Sequence, residues 1–143
     1  MRSQNYYDFA KKKRLKGKMA TALNIQGISK YFVNDYKKAI HCYSRCLKHR
    51  ITSGNQEGIA SVLNNIGNVY FDQADYINSL KYFQKSLKIE ERLKNEAGIA
   101  STLNNIGLIY KEQQDYKLAL SYYHRSLEMQ IKIDNKMGES HAL

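Results

Sequence analysis

Residues 58–97 and 98–137 are two copies of one forty-residue unit, identical at 18 of 40 aligned positions. GIASVLNNIG opens the first copy and returns as GIASTLNNIG in the second. A worn copy lies one period upstream. Gly27, Gly67 and Gly107 are spaced by 40, as are Asp35-Tyr36, Asp75-Tyr76 and Asp115-Tyr116. A fixed period of this length marks a stacked array, in which each unit buries its apolar face against its neighbours. Such arrays present a long surface to a partner more readily than they enclose a catalytic pocket.

Within the second copy Ile59, Leu63, Ile66 and Tyr70 recur at helical spacing, with Gly67 on the same arc. Tyr76, Leu80, Phe83 and Leu87 do so in its second half. The polar stretches DQADY and KNEAG separate these runs. Each unit is therefore expected to be two antiparallel helices, near 58–73 and 77–94, then 98–113 and 117–134. No segment alternates with period two, and the chain has no proline. A glycine inside a helix costs about 1 kcal/mol relative to alanine. Its recurrence at 27, 67 and 107 implies a close helix crossing. Small residues at Ala39, Ser79, Ala119 and at Cys46, Ser86, Ser126 would face it, with Tyr43, Phe83 and Tyr123 filling the space between.

This order of residues resembles the tetratricopeptide repeat. The family's pattern reads here as Leu63, Ile66-Gly67, Tyr70, Ser79, Phe83 and Ser86, then as Leu103, Ile106-Gly107, Tyr110, Ala119, Tyr123 and Ser126. The unit is 40 residues where the usual one is 34. That length is similar to the long-helix variant of kinesin light chains, spindle-orientation adaptors and bacterial signalling proteins. HEAT repeats share the length but lack this order. The resemblance implies an all-α superhelix of antiparallel helix pairs, with three repeats and flanking partial ones. On this division residues 1–18 are a preceding partial helix and 19–57 the first repeat. The second and third repeats are 58–97 and 98–137, and 138–143 start a truncated fourth. The first copy departs from the pattern at Gln26 and Lys30, so looser packing is expected there.

Charge is unevenly spread. Residues 1–57 hold 13 Lys and Arg against three acids, whereas 58–143 hold ten of each sign. The excess is densest at Lys11-Lys12-Lys13-Arg14, Lys16 and Lys18, a surface suited to acidic segments. No aromatics interleave regularly along that run as a nucleic-acid track requires, so nucleic acid is disfavoured. No stretch approaches the ~20 apolar residues of a membrane span. No secretory leader is apparent, and the expected location is cytoplasmic.

Enzyme chemistry finds no footing. The four histidines are scattered, and neither a phosphate loop nor a nucleophile–base order is present. Cys42, Cys46 and His49 share a helix face, but Cys46 stands where Ser86 and Ser126 do, which favours packing over metal. No cofactor or metal is expected. The asparagines are another matter, being poor mid-helix residues that recur. Opposite the packing arc of the first helices lie Ser61, Asn64, Asn65, Asn68 and Asp72, and then Ser101, Asn104, Asn105 and Lys111. In the first copy the same arc holds Asn24 and Tyr31. The resemblance implies that this arc lines a concave groove, with asparagines at the sites of Asn65, Asn68 and Asn105 holding a partner peptide's backbone. A carboxamide suits that work because it donates and accepts together.

The reading is a protein-interaction scaffold that takes a peptide or protein segment, favouring acidic flanks. A self-association or sensor-relay module of a larger signalling protein is the first alternative, and a basic helical-repeat RNA binder the second. The last helix is expected to expose an apolar edge, with Tyr122, Met129 and Ile133 on it, that pairs two chains into a homodimer.

Overall fold

A computed structural model describes the backbone of residues 2–142 and the side chains of residues 5–138. Six helices follow one another: α1 (Arg2–Phe32), α2 (Tyr36–Ser53), α3 (Gln56–Asp72), α4 (Tyr76–Leu93), α5 (Glu96–Glu112) and α6 (Tyr116–Ala142). Among the described residues there is no strand. α1 packs on α2, α3 on α4 and α5 on α6, and the pairs join through α2 on α3 and α4 on α5.

The repeated polar residues make the turns. Asp35 and Asp75 cap α2 and α4 by accepting from the Lys38 and Asn78 amides at 3.3 and 3.2 Å. Asp115 accepts from Leu118 in the same way at 3.2 Å. The residue before each cap, Asn34, Ala74 or Gln114, reverses the chain at positive φ. Between pairs, Gly54 and Lys94 take the left-handed conformation, and Asn55 and Asn95 cap the next helix. A side-chain oxygen at such a cap satisfies one of the helix's unpaired amides, worth about 1 kcal/mol.

The crossing glycines work as expected. A Cβ on Gly67 would sit 2.6 Å from Phe83 Cε1, and one on Gly107 would sit 2.8 Å from the same atom of Tyr123. The first pair is no looser, contrary to the reading of Gln26 and Lys30. Gly27 would meet Tyr43 at 2.5 Å, and Ala20, Leu23, Ala39 and Cys46 are buried around it. Gln26 is exposed because its counterparts Ile66 and Ile106 face the preceding pair, and α1 has no such neighbour among the described residues. The small serines are more than spacers. Ser79 donates to the Gly67 carbonyl, Ser86 to Ala60 and Ser126 to Ala100, each within 2.8 Å.

Two expected breaks do not occur. α1 runs unbroken past residue 18, because Arg14 and Leu15 stand where Gly54 and Asn55 make the turn. α6, expected to end near 134, continues to Ala142. At the earlier break Arg50 reaches forward to the Gly58 carbonyl at 2.8 Å. At the equivalent point in α6, Gln130 bonds Asp134 within its own helix, while Lys132 and Lys136 both close on Glu96 of α5. Met1, Leu143 and the side chains of 2–4 and 139–142 fall outside the described residues, so most of GESHAL does too.

The apolar edge of α6 also differs from expectation. Tyr122 is half-buried and stacked on Tyr110 at 5.5 Å, and Met129 and Ile133 are half-buried. Leu120, Leu127 and Ile131 are open instead, exposed at 57%, 55% and 49%, and Tyr116, Leu118 and Met137 of α6 are exposed as well. Leu80 and Leu87 of α4, the counterparts of Leu120 and Leu127, are packed into a cluster with Ile106 and Ile109 of α5.

Candidate functional site

The first helices of successive pairs are tied side by side. Asn65 Nδ2 donates to Asn24 Oδ1 at 3.0 Å, joining α3 to α1. Seven residues further on, the Tyr31 hydroxyl donates to Asp72 on the same two helices. Burial and that carboxylate push the Tyr31 phenol well above its ordinary range, so it stays a donor. The Asn24–Asn65 pair uses one donor and one acceptor and leaves the other halves of both amides open.

Asn64, one residue away, belongs to the interior. Its Nδ2 lies 2.8 Å from Ser86 Oγ on α4 and 3.0 Å from Thr102 Oγ1 on α5. Glu90, 2% exposed, accepts from Thr102 at 2.6 Å and lies 2.7 Å from Ser86 Oγ, whose single proton is shared between this carboxylate and the Ala60 carbonyl, closing a four-residue network where α3, α4 and α5 meet. Sequence reasoning missed Glu90 and Thr102. The available signal was that Thr102 replaces Val62, and Glu90 replaces Arg50, at one junction.

Asn68 and Asn105 are half-buried on α3 and α5, and neither side chain has a partner among the described residues. Ser61, Ser101, Asn104 and Lys111 are exposed on the same helices. Ile25 and Phe32 extend this face on α1, exposed at 61% and 76%. The face thus offers unpaired amides bordered by hydroxyls and apolar ground. The cysteines do not add a metal site. Cys46 is buried against Tyr43, and burial pushes its thiol up, away from the thiolate that a metal needs. Among the described residues no group of three or more His, Cys, Asp or Glu could hold a metal ion, and no helix is long and apolar enough to cross a membrane.

A family model described as tetratricopeptide repeat matches residues 58–132. No curated protein sequence matches the chain. Solved structures do. The tetratricopeptide domain of Arabidopsis FLU superposes with a TM-score of 0.76 at 17% identity, over 80-odd per cent of this chain (82%) and 98% of that one. The N-terminal domain of stress-induced protein-1 from C. elegans gives 0.68 at 22% identity, covering 80% of this chain and 86% of that one. The TPR2AB domain of yeast Sti1, solved in a complex with pHSP90, gives 0.70 at 19% identity, covering 88% of this chain and 49% of that one. At these identities the likeness carries the fold alone.

Proposed function

Because this chain belongs to the tetratricopeptide repeat family, we propose that it is a protein-interaction scaffold whose α1, α3 and α5 face forms a groove for an extended peptide. The observation that carries the reading is the pair Asn68 and Asn105, half-buried amides with no partner among the described residues. No buried side-chain nitrogen or oxygen lacks a partner among the described residues, so these amide atoms are open to solvent, and a peptide backbone supplies both a donor and an acceptor to match them. The Asn24–Asn65 pair adds its remaining donor and acceptor at the α1–α3 junction. Asn64 is not part of this row, since its amide is spent inside the protein. The yeast Sti1 neighbour, solved with pHSP90, supports a protein or peptide as the kind of ligand.

The test is Asn68→Ala with Asn105→Ala. Alanine is the better helix former, so the melting temperature should hold or rise slightly. Partner affinity should fall by about 1–3 kcal/mol per lost amide. Wild-type binding by a folded double variant would reject the groove. Peptide arrays read by fluorescence anisotropy supply the ligand, with single-stranded RNA as the competing class.

Self-association is the second reading, favoured by Leu120, Leu127 and Ile131 standing open on α6.

A further inference from the structure

The N-terminal arm of α1 projects past the end of α2, and a cleft of about 240 Å³ lies between them. Phe9, Lys12, Lys13 and Lys16 form one wall, and Ile51, Thr52, Ser53 and Gly54 the other. Phe9 and Ile51 are 65% and 59% exposed, an apolar pair facing solvent across a basic recess. We propose that this cleft is a second binding site, separate from the α1–α3–α5 face, for an acidic protein segment carrying one bulky apolar residue.

Charge supports the assignment. No acid lines the cleft, and Lys12, Lys13 and Lys16 make no ion pair among the described residues. Asp8 is the sole acid in the sequence of α1, and α2 contains none. The C-terminal end of α2 does draw cations, but its dipole is equivalent to about half a negative charge, against three ammonium groups. The surplus remains positive. The rim hydroxyls are already committed, Thr52 to the Lys48 carbonyl at 2.9 Å and Ser53 to Arg50 at 3.2 Å. The recess therefore offers cations and apolar surface. A cavity of about 150 Å³ is enough to hold benzene, so this space admits an aromatic or branched side chain, with carboxylates on either side meeting the lysines. Single-stranded nucleic acid would want a run of aromatic platforms along a basic track. Here one aromatic faces one aliphatic residue. A membrane surface would want a broad apolar helix face, whereas the apolar surface of this cleft is two side chains set beside three lysines.

The experiment is fluorescence anisotropy with a labelled peptide of glutamates around a central phenylalanine. Three variants are compared after circular dichroism confirms their helix content. Lys12→Glu with Lys16→Glu should weaken binding by about tenfold or more, since each 1.4 kcal/mol is tenfold. Phe9→Ala should weaken it several-fold even at high salt, where the ionic contribution is screened. Asn68→Ala with Asn105→Ala should leave it unchanged, which separates this site from the groove. A probe with serine in place of phenylalanine should bind more weakly. Undiminished binding by either cleft variant would overturn the proposal. So would equal affinity for the serine probe, or tighter binding of single-stranded RNA or anionic vesicles than of the peptide.

Discussion

Gly27 and Gly67 are conserved in spacing but were not expected to be equal in consequence. The rings they face leave 2.5 and 2.6 Å to a new Cβ, and Tyr43 and Phe83 are 2% and 1% exposed. Neither ring has room to retreat. Gly27→Leu and Gly67→Leu should therefore destabilise by comparable amounts, about 1–3 kcal/mol or more each. Urea melts of the two variants decide it, and a mild Gly27 loss would restore the idea of a loose first pair. Thr102→Val tests the interior network in turn. The change copies Val62, yet it removes a donor from a buried carboxylate and should cost about 1–3 kcal/mol. The glycines were legible because a period of 40 exposes them and a helix interior needs a reason for glycine. Asn64 was not legible. On a helical wheel it sits beside Asn65, and only the convergence of Ser86, Glu90 and Thr102 from two other helices draws it inward.

At the level of elements, the paired helices and their caps follow from local residues, and the two terminal helices do not. A turn between pairs needs a residue that tolerates the left-handed conformation, an Asn cap, and a tie to the next helix. α1 lacks the first two, and α6 has Asn135 but spends its ties elsewhere. The continuing end of α6 rests on Glu96, where the Lys136 hydrogen bond and the charges of both lysines hold the carboxyl below the usual carboxylate range. A depressed folded-state value fixes the sign. The contribution is complete above the unfolded pKa of about 4.3 and is lost as pH falls through the lower folded value. Exposure and salt screening keep it small. Hydrogen-exchange protection at 134–138, taken relative to the intrinsic amide rate at each pH, should fall on acidification more than protection in α4. In Glu96→Gln that extra acid response should vanish. An unchanged pH profile in the variant would show that the α6 extension does not depend on this carboxylate.

The whole molecule is polarised, with its basic excess confined to α1 and α2 and an apolar end on α6. An open apolar face on the last helix invites either a following unit or another chain. Head-to-tail stacking is disfavoured by what α1 presents. Ala22, Gln26 and Ser29 stand there where α3 packs Val62, Ile66 and Val69, so an incoming α6 would bury amide and hydroxyl groups without partners. Two α6 faces can instead meet about a two-fold axis, each covering the other's Leu120, Leu127 and Ile131, while the basic ends point apart. Closed symmetric pairs are the commonest outcome of such faces. Sedimentation velocity over a hundredfold concentration range should show a monomer–dimer equilibrium with no larger species. Leu120→Glu with Leu127→Glu should return it to monomer without lowering the melting temperature, because both side chains are already in solvent. Charge reversal at Lys12 and Lys16 should leave the dimer intact. Growth into longer assemblies would mean that α1 accepts α6 despite its polar residues, and a monomer at every concentration would remove the self-association reading.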